Sequence, residues 1–453
     1  MKIHFIAIGG AIMHQLAICL KQKGYQVSGS DDVIYDPSLS ALQSEGLAPD
    51  EFGWFPSKIT EDIDAVIVGM HAKADNPELN RAQDLSIPIH SFPSYLFKET
   101  EDVQRIVVAG SHGKTTITSM LAHVLAENNI EFDLAVGAEI PGFEHQVTLN
   151  DKSIILIEGD EYLTSPLDRR PKFVHYRPHV AIINGIAWDH VNVFPTYEDY
   201  FNQFRLLIQS MEAGGTLFYN AEDAEVMRLI ESEQREDIEY QSYALPEFNV
   251  ENEVFIVTDN HSDFPMKVIG QHNMNNMEAA KSVAELLGIS SSDFYGSMVN
   301  HHGAARRLQQ LYSSDNYIVF KDFAHAPSKV KASVHAVRAT YPNRRLVVCK
   351  ELHTYSSMNM NFLPLYKDSL RDADEAIVFY DKAAMAIKNM PALDKDEVKA
   401  CFGGGVNVID SKDELIQQVM QLSESNGVFL MMSSGSWAKS YLPEWLTERF
   451  NSQ

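Results

Sequence analysis

The chain has 453 residues, enough for about three average domains, each with its own core. A composition of 45% hydrophobic and 10% aromatic residues, with 24 Gly and 18 Pro, excludes a collagen-like, low-complexity or mainly disordered protein. Lys plus Arg number 37 against 62 Asp plus Glu, and the resulting formal charge of −25 excludes general nucleic-acid binding, which depends on broad cationic neutralisation of phosphates. A small anionic substrate stays compatible with such a chain if a local positive pocket receives it.

Short apolar runs alternate with helix-period segments almost throughout, the pattern of α/β units with parallel sheets joined by crossover helices. The run HFIAIGG, residues 4 to 10, reads as a buried first strand, and Ile12, Leu16, Ala17 and Leu20 recur at helical spacing until Gly24. QVSGSD supplies a second strand ending at Asp31, DAVIVGM at 64 to 70 another, and PSYLFKETEDVQR reads as a charged connector at a domain boundary. A second unit opens with RIVVAG at 105 to 110, continues into the helix ITSMLAHVLAENN, and contains the strands SIILIEGD and VAIIN. A third follows HHGAARR, with strands at YIVFKDFA, RRLVVCKEL, EAIVFY and GVFLMM and helices such as KDELIQQVMQLS. The charge run ESEQREDIEY, 231 to 240, reads as a solvated helix face. Trp54, Trp188, Trp437 and Trp445 read as packing residues. Cys19, Cys349 and Cys401 are far apart and lack zinc spacing, so buried thiols in a reducing compartment are expected. With no cleavable leader and no apolar stretch of roughly 18 residues, the expected location is the cytoplasm and no membrane partner is expected.

Chemistry concentrates at strand ends. Gly110-Ser111-His112-Gly113-Lys114-Thr115-Thr116 lies between an apolar strand and an amphipathic helix, as a phosphate-binding loop requires, although Val108 stands where the strict pattern has a glycine. Backbone N–H groups and the helix N-terminus can surround phosphate oxygens, Lys114 can neutralise β- and γ-phosphates, and the Thr115 hydroxyl can reach Mg²⁺. Glu158 of EGDEY ends a buried strand, where open α/β sheets bind ligands, and is a candidate Mg²⁺ ligand. VAIINGIAWDH places Asn184, Asp189 and His190 at another such end. The first turn lacks GxGxxG spacing, with Ala7 where a first glycine belongs, so a dinucleotide cofactor is not supported. Gly9, Gly10 and Asp31 can still hold a phosphate and a ribose or base.

Taken together, GSHGKTT, EGDEY, the segment from Asn184 to His190 and GQHNMNN at 270 to 276 resemble the ATP-dependent Mur ligase family over nearly the full chain. That resemblance implies three domains: a Rossmann-like UDP-sugar-binding domain over 1–101, a central P-loop ATPase domain over 102–302, and a Rossmann-like C-terminal acceptor and nucleotide-closing domain over 303–453. It implies that Gly9, Gly10 and Asp31 bind the UDP-sugar, that Lys114, His190 and Arg307 are catalytic, and that Thr115, Glu158 and His190 hold Mg²⁺. Gly110 to Thr116 would bind ATP together with His272 and Asn276 beside the adenine nucleotide, Arg307 near the γ-phosphate and Asp322 at the ribose, the last two arriving on domain closure.

Within the family, DRRPKFVHYRP at 168 to 178 is similar to the branch that joins recycled L-alanyl-γ-D-glutamyl-meso-diaminopimelate to UDP-N-acetylmuramate, and this is the expected reaction. The substrates would then be UDP-N-acetylmuramate and the murein tripeptide, with no obligate protein partner. The HTY run at 353 to 355 resembles the alanine-adding branch instead, an alternative that uses free L-alanine. Ala187 replaces a usual Glu and Ala326 a usual His, which motivates a third reading, an inert UDP-sugar or ATP binder. Two further segments, SSGSW at 433 to 437 and HTYSSMNMN at 353 to 361, depart from the recycling branch in the domain expected to hold the incoming peptide.

Overall fold

A computed structural model describes residues 1–191 and 193–451. By its contacts the chain forms two compact units: 1–186, 198–244 and 279–288 make the first, and 187–197, 245–278 and 289–453 the second.

The first unit contains two parallel sheets. In the smaller, the strands run in the order Gln26–Ser30, Lys2–Ile6, Ala65–Val68 and Ile89–Ser91. Ile3, Phe5, Ile6 and Val66 to Val68 are almost wholly buried, as expected when helices cover both faces of a parallel sheet. The first strand ends at Ile6, and Ala7 then adopts a left-handed φ of 67°, a conformation glycine takes more readily, before the helix Met13–Gln22 begins. The larger sheet has six parallel strands in the order Glu239–Tyr243, Thr216–Asn220, Val180–Ile183, Gln104–Ala109, Ile154–Glu158 and Asp133–Ala135.

Two stretches of this unit differ from the sequence reading. PSYLFKE is no connector: Phe92–Glu99 is a helix, capped by a reciprocal Ser91 and Ser94 box and buried through Tyr95 and Leu96. The apolar residues Phe92, Tyr95 and Leu96 sit at i, i+3 and i+4, a period that the flanking charges obscure. Nor is 231 to 240 a helix face. The helix Ala224–Ser232 stops there, and Arg235 turns inward to donate to the carbonyls of Ile208 (2.9 Å), Gln209 (3.3 Å) and Met211 (2.9 Å).

The second unit carries a three-stranded antiparallel meander, Phe248–Glu251, Val254–Asp259 and Ser262–Met266. Each hairpin turns through two residues of positive φ, Asn252 and Glu253 (50° and 67°) and Asn260 and His261 (46° and 67°), which is the handedness that matches strand twist. Its main sheet runs Gln309–Ser313, Tyr317–Asp322, Gly427–Met432, Leu346–Leu352, Glu375–Tyr380 and Asn407–Ile409, with only the first strand antiparallel. On one face Val347, Cys349, Phe379, Phe429 and Met431 pack with Trp437 and the helices Lys412–Leu422 and Leu442–Asn451. Trp437 is thus a core residue, as its type suggests. All three cysteines are free thiols; Cys19 and Cys349 are buried, whereas Cys401 is only half-buried at the end of its short helix.

Candidate active site

In the first unit the strand Gln104–Ala109 delivers the chain into the loop at Gly110 and the helix Lys114–Glu127 carries it away. Val108 belongs to the strand, paired with Glu158 and Ile182, so the loop proper begins at Gly110. Gly110 and Gly113 have φ of 135° and 81°, and a Cβ on Gly110 would sit 3.2 Å from the Asn184 backbone nitrogen. Both positions therefore favour glycine by backbone conformation, and Gly110 also by close approach. The loop is backed by the end of the neighbouring strand: Ser111 N–H donates to Gly185 O (2.9 Å) and Asn184 Nδ2 to His112 O (3.3 Å). Asn184 is fixed in turn by Tyr243 Oη, 2.8 Å from its Oδ1, and by Asn220 Nδ2 at its carbonyl (3.0 Å).

The acids of EGDEY face this loop. Thr115 Oγ1 donates to Glu158 Oε1 (2.5 Å), whose other oxygen accepts from Gly137 N–H (3.1 Å). Lys114 forms an ion pair with the buried Glu161, while Asp160 binds Lys172 Nζ at 2.6 Å. Burial opposes the Lys114 ammonium, yet Glu161, Asp160 and Glu158 outweigh it and hold its pKa above the ordinary value, so the lysine is charged. Tyr200 Oη lies 2.8 Å from Glu161 Oε1 and 2.6 Å from Ser111 Oγ, tying loop, acid and helix together. Among the described residues of this unit, Thr115 and Glu158 offer hard oxygen donors side by side next to a phosphate-binding loop, a set that fits Mg²⁺.

At the N-terminal turn Gly9 N–H donates to Asp31 Oδ2 (2.7 Å), and a Cβ on Gly9 would strike Ile34 at 2.7 Å. Burial raises the Asp31 pKa and the Gly9 N–H works against that rise. Gly10 packs beside Met13, leaving 3.2 Å for a Cβ. The three residues expected to meet the UDP-sugar are thus one local cluster.

The remaining expected residues belong to the second unit. His190 has a left-handed φ of 54° and follows Asp189, whose Oδ2 lies 3.5 Å from His325 Nε2 and 3.7 Å from Lys329 Nζ. His272 and Asn276 are one turn apart on the helix Gln271–Leu286, and Asn276 Nδ2 donates to Asn273 Oδ1 (3.2 Å). Burial lowers the His272 pKa, against the pull of Asp322. Asp322 ends the strand Tyr317–Asp322 and accepts from Ser333 Oγ; the Arg307 guanidinium stacks over Phe323 at 4.6 Å.

Residues 2–99 match the Mur ligase family catalytic domain, 108–284 the Mur ligase middle domain, and 306–435 the Mur ligase glutamate ligase domain. The chain belongs to the Mur ligase family. It is therefore an ATP-dependent amide-forming ligase with the three Mur domains. A UDP-N-acetylmuramate–L-alanyl-γ-D-glutamyl-meso-2,6-diaminoheptandioate ligase of Haemophilus influenzae is 30% identical over 346 residues, 74% of this chain and 76% of that one. A UDP-N-acetylmuramate–L-alanine ligase of Aquifex aeolicus is 28% identical over 456 residues, 98% of this chain and 97% of that one. A crystal structure of a murein peptide ligase from Psychrobacter arcticus aligns with a TM-score of 0.67 at 22% identity, covering 100% of this chain and 98% of its own, and shares the fold.

Two functional candidates of this Mur ligase escape motif reading. Glu161 stands inside EGDEY but only the fold reveals that it, rather than Glu158, meets Lys114. Tyr200 carries no local signal, because its partner Ser111 is 89 residues away. A third titratable group is Lys350, fully buried in the strand Leu346–Leu352 with its Nζ donating to the Glu351 carbonyl (2.6 Å). Burial pushes the Lys350 ammonium down to about 8, against the pull of Glu351 and Asp322. An unfolded lysine keeps its proton to about 10.4, so between these values the unfolded chain binds the additional proton and stability rises with pH. Relative to Lys350→Met, the wild-type protein is expected to gain on the order of 3 kcal/mol between pH 8 and 10.5. Urea melts of both proteins at the two ends of that window measure the gap, and a gap that ignores pH would overturn the assignment.

Among the described residues no helix is long and apolar enough to cross a membrane.

Proposed function

We propose that this ligase joins L-alanyl-γ-D-glutamyl-meso-diaminopimelate to UDP-N-acetylmuramate in the cytoplasm, as a step of peptidoglycan recycling. The observation that carries the reading is the likeness to the Haemophilus influenzae protein of that activity, 30% identical over three quarters of both chains. Ligation of free L-alanine is the second reading, favoured by the near-equal likeness of the Aquifex aeolicus relative over almost the full length.

On this reading residues 1–101 hold the UDP-sugar through Gly9, Gly10 and Asp31, residues 102–302 hold ATP, and 303–453 bring the acceptor. A carboxylate resists attack by an amine because its oxygen is a poor leaving group. Transfer of the ATP γ-phosphoryl group to the lactyl carboxylate gives an acyl phosphate and ADP. The α-amine of the peptide then attacks that carbonyl, and phosphate departs as the amide forms. Lys114 and N–H groups at the start of the helix Lys114–Glu127 stabilise the charge that develops on the phosphoryl oxygens, and Arg307 adds a second cation. His272 and Asn276 border the adenine nucleotide and Asp322 its ribose. Thr115, Glu158 and His190 would hold Mg²⁺, which when bound neutralises phosphate charge.

The test is ADP release by the purified protein with Mg-ATP and UDP-N-acetylmuramate, with tripeptide or L-alanine as acceptor and the product weighed by mass spectrometry. Tripeptide-dependent product is expected; product with L-alanine alone would replace the first reading by the second.

A further inference from the structure

Glu253 stands at the tip of the first hairpin of the meander with a φ of 67°, in a two-residue turn whose backbone suits glycine. A side chain kept in such a conformation costs stability, and positions of this kind persist where the side chain makes a contact that the molecule uses. Here the contact is Arg344. Its Nε donates to Glu253 Oε1 (2.8 Å) and its Nη2 to Glu253 Oε2 (3.0 Å), the two-pronged geometry that makes an arginine–carboxylate pair directional. The guanidinium is steadied from its own side: Nη1 donates to the carbonyls of Ser314 (3.4 Å) and Asp315 (3.1 Å), and the group lies over the Tyr341 ring at 5.7 Å.

The two residues belong to different domains of the family. Glu253 falls in the stretch 108–284 that matches the middle domain, and Arg344 in the stretch 306–435 that matches the glutamate ligase domain. Within the second unit these parts meet at two further places. Gly270, with a φ of 96°, approaches the helix Pro327–Thr340 so closely that a Cβ on it would lie 2.5 Å from the Ala336 Cβ. Asp189 faces His325 and Lys329. Ala336 and Asp189 are both buried, so dissolved ions have little access to either contact. Glu253 and Arg344 keep side-chain exposures of 40% and 27%, which makes theirs the contact that salt can screen.

We propose that the Glu253–Arg344 pair is a latch. It sets the balance between a closed arrangement, in which the C-terminal domain sits against the meander and the helix Gln271–Leu286, and an open one in which the pair is broken. In the closed arrangement Asp322 and Arg307 of one domain serve the nucleotide that His272 and Asn276 of the other border, so the latch acts on ATP binding and not on the chemical step. The assignment rests on the nucleotide roles proposed for these four residues and is independent of which acceptor is ligated. An ATP-dependent ligase must open to exchange ADP for ATP, and a surface ion pair is strong enough to bias closure yet weak enough to release in every turnover.

Glu253→Gly tests it, because glycine suits the turn and carries no carboxylate. In about 50 mM NaCl the KM of the variant for ATP should be about threefold that of the wild type, an effect of the size an exposed ion pair supplies, with kcat unchanged and the melting temperature equal or higher. In about 500 mM NaCl the ratio should fall to about one, since screening has by then released the wild-type latch. Arg344→Gln should give a similar rise in low salt, and the double variant no further one. X-ray scattering by the ligand-free proteins reads the same balance without turnover: Glu253→Gly should have the larger radius of gyration in low salt and the wild-type radius in high salt. A KM ratio of about one in low salt, a ratio that salt leaves unchanged, or equal radii in low salt overturns the latch. If the wild-type enzyme ligates L-alanine and not tripeptide, the tripeptide reading falls, while the same comparison made with L-alanine still decides the role of Glu253 and Arg344.

Discussion

Replacing Lys114 by Met should lower kcat/KM about 10³-fold, in the range found when a preorganised charge-stabilising group is removed. Lys114 opens the helix Lys114–Glu127 directly after Gly113, at the end where first-turn N–H groups have no acceptor within the helix. Glu161, Asp160 and Glu158 keep it protonated, which makes it a fixed positive charge rather than a titrating one. Its present partner is Glu161, and an incoming phosphate must compete with that carboxylate for it. Loss of the lysine leaves Glu161 with Tyr200 Oη at 2.8 Å, so the fold should survive with a modest fall in melting temperature. Steady-state turnover together with a thermal melt separates the two effects. Near-normal turnover in a folded Lys114→Met protein would remove Lys114 from the mechanism.

The largest stability effect is expected at Arg105, where Met should cost on the order of 3 to 5 kcal/mol. The residue is 1% exposed although it stands near the start of a strand. Its Nε donates to the carbonyls of Tyr176 (2.7 Å) and Arg177 (3.2 Å), and its Nη1 to those of Thr100 (2.6 Å), Glu101 (2.9 Å) and Val103 (3.1 Å). Nη2 reaches Glu212 Oε1 at 3.3 Å, and the guanidinium also lies over Phe97. One cation thus ties together carbonyls of two separate segments, those of the buried Thr100 and Tyr176 among them. Lysine should not rescue it, because a single ammonium lacks the planar fork that serves several acceptors in different directions. Urea unfolding of Arg105→Met and Arg105→Lys measures both costs; values within about 1 kcal/mol of wild type would contradict the account.

Much of the frame could be read from the chain itself. The strands at 104–109, 154–158, 180–183 and 346–352 each contain a continuous apolar run, at 106–109, 154–157, 180–183 and 346–349, and a parallel strand buried on both faces has no polar alternation there to confuse the pattern. The phosphate-loop segment was legible because its function demands contiguous residues: two glycines with positive φ, a lysine and a hydroxyl. The two hairpins of 248–266 were not, since their turns place Glu253 and His261 where glycine is the usual sign. Arg105 reads as part of a charged connector, because sequence displays its charge and hides the five carbonyls around it.

What the sequence determined by itself is the α/β class and the placement of the phosphate loop, EGDEY and 184–190 after buried strands, consequences of local periodicity and of residues adjacent in the chain, while the three Mur domains followed from the resemblance those motifs carry together. The tertiary structure alone decided which acid meets Lys114, that Tyr200 joins Ser111 to Glu161, and that Glu253 meets Arg344, 91 residues away from it. These are hydrogen bonds between distant segments, and their geometry exists only once the order of strands in each sheet has brought those segments side by side.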